Sequence, residues 1–70
     1  MRPLPAKKLA RILEAHGFIL SRRSGSHAIY RQTASGIVVP IPFHGGNHPI
    51  PIGTFLAIVK QAKLPKELFK

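Results

Sequence analysis

An α+β fold is predicted: a three-stranded antiparallel sheet covered on one face by two helices, in the order αβββα. Three observations predict it. Apolar residues recur at 3.6-residue spacing near each end of the chain. Three short β-rich runs lie between those ends, and the links joining them are short and rich in Ser, Thr and Gly, as hairpins require. Helices beside so small a sheet must cover one of its faces to make any core, which gives two layers. At 70 residues the length permits one domain, spanning 1–70.

The first helix is expected over 5–16. Leu9, Ile12, Leu13 and His16 share a face, while Lys7, Lys8, Arg11 and Glu14 occupy the others. His16, on the apolar side at the helix end, reads as a partly buried structural histidine. Pro5 suits the first turn, and Gly17 supplies the residue with which helices commonly stop. No Ser, Thr, Asp or Asn stands before Pro5 as a cap. Lys7 and Lys8 oppose the helix dipole at a cost of about 0.3 kcal/mol or more each at low salt, so local stability did not place them. A phosphate-facing role and a solvated face both fit.

The β-like runs are Phe18 to Arg22, Ser26 to Gln32 and Gly36 to Ile41. Their links, Arg23-Ser24-Gly25 and Thr33-Ala34-Ser35, make a meander in the order 1-2-3. Pro40 and Pro42 lie two apart, so their missing N–H groups point to one side, and the third strand must be an edge. Phe43 to Gly53, with three glycines, two prolines, two histidines and Asn47, reads as a loop long enough to line a site. From Thr54, the residues Phe55, Ile58, Val59 and Ala62 mark one face of a second helix, capped by Gly53 or Thr54, with Lys60 and Lys63 near its end. Leu64-Pro65 stops it, and Lys66 to Phe69 forms one last turn. The same element order occurs in double-stranded RNA-binding domains, an analogy of shape that carries little functional weight.

Composition narrows the chemistry. Eleven Lys or Arg against two Asp or Glu give a net charge of +9, which favours a polyanion, with nucleic acid ahead of an anionic membrane or an acidic protein. Hydrophobic residues make up 44% of the chain, too many for a disordered segment of this charge. No apolar run approaches the ~20 residues that span a bilayer, and Lys7, Lys8, Arg11 and Glu14 interrupt the start, so no signal peptide is expected there. With no cysteine there are no disulfides or thiolate zinc sites. A cytoplasmic location is the expectation.

Nucleases that hold Mg²⁺ or Mn²⁺ use several carboxylates, and the sequence contains only Glu14 and Glu67, near its opposite ends. Paired-carboxylate glycosidase chemistry fails on the same count, and a Ser-His-Asp triad fails for want of Asp. There is no P-loop. His44 and His48 have helical i, i+4 spacing, but Gly45, Gly46 and Pro49 oppose a helix and no third zinc ligand is evident, so no metal or other cofactor is expected. His27 is different. It begins the second strand after a Gly-Ser turn, among Arg22, Arg23 and Arg31. RNA cleavage without metal needs a base for the 2′-OH proton, an acid for the leaving 5′-oxygen and cations for the phosphorane, roles that His and Arg supply. Ser26 and the Gly25 backbone can add hydrogen bonds to phosphate. On the residues alone, a surface histidine without catalytic work remains open.

Gly17-Phe18, Arg23-Ser24-Gly25-Ser26-His27-Ala28-Ile29-Tyr30-Arg31, Val39-Pro40 with His44-Gly45-Gly46, and Gly53-Thr54 leading into Ile58-Val59-Lys60-Gln61-Ala62 together resemble the HicA toxin family. The resemblance covers nearly the whole chain, and its most specific piece is Gly25-Ser26-His27. It implies a ribosome-independent mRNA interferase of a type II toxin–antitoxin pair, with a double-stranded-RNA-binding-like αβββα fold. It also implies that His27 is the catalytic histidine and that a HicB antitoxin covers the active face. The start Arg2-Pro3-Leu4-Pro5 lacks a polar helix cap and Leu64-Pro65 replaces a glycine-containing end, departures that touch the termini and not the motif.

Arg22, Arg23, Arg31, Lys7, Lys8, Gly25, Ser26 and His44 are thus the expected RNA contacts. The second proton-transfer partner is open among His44, Tyr30 and a lysine, although a small sheet usually needs an aromatic such as Tyr30 for packing. A non-catalytic RNA-binding module and a basic partner for an acidic protein are the competing readings.

Overall fold

A computed structural model describes residues 2–43 and 50–70. The chain runs α1 (Ala6–Ala15), β1 (Phe18–Ser24), β2 (His27–Gln32), β3 (Val38–Pro42) and α2 (Ile52–Ala62), then a 3₁₀ turn at Lys66–Phe69. The sheet is antiparallel in the order β1-β2-β3, and both helices pack on it. This is the α+β layout expected. His44 and the remainder of the glycine- and histidine-rich stretch fall outside the described residues.

α1 buries Ala6, Leu9, Ala10 and Leu13, with Ile12 half-buried at the margin. The two alanines matter because small side chains let the helix approach the sheet closely. His16 is exposed, contrary to the expectation of a partly buried residue. It stands one turn beyond Ile12, past the buried stripe, where its Nδ1–H donates to the Ile12 carbonyl at 2.9 Å and closes the helix end. Gly17 then takes φ +89° and turns the chain into β1. A Cβ there meets only Gln32, at 3.8 Å, so the cost of a side chain lies in the backbone. Gly17→Ala is expected to lower stability by about 1–2 kcal/mol, the left-handed penalty, as read from the urea midpoint at unchanged slope.

Gln32 fastens this end of the molecule. Its Nε2 donates to the His16 carbonyl at 2.8 Å, and its Oε1 accepts from Ser35 at 2.5 Å, joining α1 to the β2–β3 turn. Along β2, Ala28 and Tyr30 point into the core while His27 and Arg31 are exposed, the period-2 pattern of a sheet covered on one side. Val39 and Ile41 on β3 and Phe18 on β1 complete the sheet's contribution. Against them pack Leu9 and Leu13 of α1, Phe55, Ile58, Val59 and Ala62 of α2, and Phe69 of the final turn.

β3 is an edge, as the prolines require. Ile37 accepts from the Gln32 N–H and Phe43 donates to the Ser26 carbonyl, so the odd-numbered residues face β2 and Val38, Pro40 and Pro42 face outward. Two of those three have no N–H to offer, and the Val38 carbonyl is taken by Gln61 Nε2 of α2 at 2.6 Å. The edge is closed to strand addition.

α2 begins at Ile52, two residues earlier than expected, with Pro51 and not Gly53 or Thr54 at the cap position. The Phe55 N–H bonds the Pro51 carbonyl at 2.9 Å, so Gly53 and Thr54 lie within the first turn. Both are favourable cap residues, which misplaced the boundary, whereas the fixed φ of proline prepared the preceding residue equally well. At the far end Lys63 adopts a left-handed φ of 55° and Pro65 prevents continuation. None of the described helices is long and apolar enough to cross a membrane.

Candidate functional site

β1 and β2 are joined by a two-residue turn, Gly25-Ser26, with Ser24 and His27 paired across it. Such turns demand positive φ, and Gly25 supplies it at +60°. His27 therefore opens β2 as an exposed residue directly after the tightest bend of the sheet. Pairing then decides what stands beside it. Ile29 and Arg31 share its face along β2, and across the ladders His27 is opposite Ser24 and Pro42, Ile29 is opposite Arg22 and Pro40, and Arg31 is opposite Ile19 and Val38. This is the face that the helices leave uncovered.

The three arginines are divided by an irregularity in β1. Leu20 pairs with Tyr30, but the next partner of β2, Ile29, pairs with Arg22, which leaves Ser21 as an extra residue. A one-residue insertion flips the facing of everything beyond it. Without it, Arg23 would share the face of Ile19 and His27. With it, Arg22 takes that face, and Arg23 lies opposite Ala28 on the helix side. The Arg23 guanidinium stacks over the half-buried Phe43 ring, 5.4 Å from its centroid. Arg23 is thus removed from the face of His27, which Arg22 and Arg31 share with it, Arg31 four residues further along β2.

Lys7 and Lys8 are exposed on α1 and, with Pro5 and Arg11, line a shallow hollow of about 200 Å³. The Gln32–His16 bond holds the C-terminus of α1 at the Phe18 end of the sheet. Both lysines lie on α1, in the helix layer rather than on the open face.

Tyr30 is core, as packing suggested: it is buried on the helix side, and its hydroxyl donates to Glu14 Oε2 at 3.4 Å. Burial raises its pKa above the ordinary tyrosine value, the Glu14 charge and hydrogen bond add to this, and the Arg23 charge opposes it. One of the two carboxylates of the chain is therefore engaged with Tyr30, and the other, Glu67, is exposed in the final 3₁₀ turn. Among the described residues no three His, Cys, Asp or Glu come together in a group able to hold a metal ion.

Chemically, the described residues of the open face offer one imidazole, able to take or give a proton, and two guanidiniums, whose forked donors match phosphate oxygens. The Ser21 insertion was the feature missed in the sequence. Two adjacent arginines after an apolar run are the only hint of it, and that pattern does not say which of them faces His27.

A search of curated proteins found no match. The family model described as HicA toxin of bacterial toxin-antitoxin matches residues 6–64, a span that takes in both helices and all three strands. The chain therefore belongs to the HicA toxin family, the toxin side of bacterial toxin–antitoxin pairs.

Proposed function

We propose that the chain is a metal-independent endoribonuclease that cuts mRNA, with His27 as its general acid or base. The observation that carries the reading is the exposed His27 on the same uncovered sheet face as Arg22 and Arg31 in a HicA-family toxin. The 2′-hydroxyl of a bound ribose attacks the adjacent phosphorus as its proton is removed. The 5′-oxygen leaves with a proton delivered to it, and the products are a 2′,3′-cyclic phosphate and a 5′-hydroxyl. His27 moves one of these protons, while Arg22, diagonal to it across the ladder, holds the charge that gathers on the phosphorane and Arg31, four residues along β2, takes a neighbouring phosphate.

Tyr30 lies on the other face, engaged with Glu14, and is set aside as the second proton carrier in favour of His44 or a lysine. Gly25 and Ser26 contact the backbone of the same strand of RNA. Lys7 and Lys8, exposed on α1, extend the basic surface for neighbouring phosphates. A HicB-like antitoxin covers the open face in the cytoplasm and keeps the toxin silent.

Purified protein incubated with RNA in excess EDTA is expected to cut it and leave 2′,3′-cyclic phosphate ends. RNA that stays intact while held in a salt-sensitive complex would replace this reading with that of a non-catalytic RNA-binding module.

A further inference from the structure

α2 carries two apolar faces, and only one of them is used by the core. Phe55, Ile58, Val59 and Ala62 are buried, but Ile52 and Leu56, one turn apart, are each 47% exposed. This second stripe runs from Leu56 into a groove of about 750 Å³ lined by Leu56, Val59, Lys60, Lys63, Leu64 and Lys66. Its floor is aliphatic and its rim is three ammonium groups, with no carboxylate among the lining residues. In a chain whose stability margin is thin, leaving large aliphatic side chains in water along one stripe has a cost that folding does not explain.

We propose that this groove is a docking surface for the antitoxin, separate from the His27 face, and that it receives an acidic amphipathic helix. The charge pattern selects the occupant. A helix lying along the groove would set its apolar stripe on Leu56, Val59 and Leu64 and its carboxylates against Lys60, Lys63 and Lys66. RNA would gain from the lysines but nothing from the aliphatic floor, since phosphate contacts need no such surface. The toxin–antitoxin pairing follows from family membership, and the proposal rests on that pairing and not on the reaction at His27.

Leu56→Asp and the triple variant Lys60→Glu, Lys63→Glu, Lys66→Glu are the tests, each first checked for an unchanged circular dichroism spectrum. All four positions are exposed, so folding is expected to survive. The readouts are affinity for the purified antitoxin that neutralises this toxin, RNA cleavage without antitoxin, and RNA binding. Leu56→Asp is expected to weaken antitoxin binding at least tenfold. The triple variant is expected to do the same and to lose most of the salt dependence, while Leu56→Asp cleaves RNA at the native rate and the triple variant does so once RNA is saturating. Antitoxin affinity within twofold of native in both variants overturns the proposal. Loss of RNA binding by the triple variant with antitoxin affinity intact overturns it in favour of a nucleic-acid surface. Leu56-dependent binding to phosphatidylglycerol vesicles with antitoxin affinity intact overturns it in favour of a membrane surface. Because native protein must bind the antitoxin whether or not it cuts RNA, failure of the nuclease reading leaves this result interpretable.

Discussion

His27→Ala is expected to lower RNA cleavage by about 10²- to 10⁴-fold, the usual worth of a positioned acid or base, while RNA binding changes only a few-fold. The contrast between the two readouts is what identifies proton transfer. His27 is exposed at the first position of β2, so the substitution opens no cavity and the fold is expected to remain. The neighbouring arginines sharpen the test. Arg22 shares the open face with His27, and Arg22→Ala is expected to cost about 10- to 100-fold in cleavage, the worth of one hydrogen bond to a charged group. Arg23 faces the other way and stacks on Phe43, so Arg23→Ala should leave cleavage within a few-fold and act on local packing instead. Rates measured under single-turnover conditions in EDTA separate the three. Equal cutting by native protein and His27→Ala would remove His27 from the chemistry. Equal losses in the two arginine variants would contradict the facing that the Ser21 insertion imposes.

That insertion also marks where sequence reasoning stops. Alternation in β2 is legible from Ala28 and Tyr30 against His27 and Arg31, whereas β3 is apolar throughout. The role of β3 as an edge is equally legible, because Pro40 and Pro42 admit no other position. β1 gives no such signal: after Phe18 every residue is exposed, so no buried side chain reports the change of phase at Ser21. Which arginine meets His27 is decided by a backbone irregularity without a residue-type signature. His16 failed for a different reason. Periodicity locates a helix face, but the end of the sheet beneath it decides how far along that face burial extends. The start of α2 was obscured because Pro51, Gly53 and Thr54 are all acceptable at a helix N-terminus, and only the Phe55–Pro51 bond chooses among them. The Gly25-Ser26-His27 motif was legible because a tight turn and an exposed imidazole are local properties.

Phe55→Ala is expected to bring the protein close to unfolding at 37 °C. Truncating a buried phenylalanine costs about 3–5 kcal/mol. At about 0.05–0.15 kcal/mol per residue, a chain of this size has roughly 4–10 kcal/mol in all. Phe55 is fully buried, and its ring meets that of Phe69 edge to face, with centroids 6.5 Å apart and planes at 81°. Phe69 is fully buried too, so the final 3₁₀ turn closes the core and is not a loose end. The next residue along the helix supplies the control. Leu56 is nearly half exposed, and Leu56→Ala should move stability by no more than about 0.5 kcal/mol. Urea titrations followed by circular dichroism compare the two directly. In a double-mutant cycle, Phe55→Ala and Phe69→Ala should couple by about 0.5–1.5 kcal/mol, the worth of an edge-to-face pair. A loss below 1 kcal/mol for Phe55→Ala would refute the packing of α2 on the sheet. Cleavage should fail with the fold, because Gln61 of the same helix holds the β3 edge, and β3 supports β2, on which His27 stands.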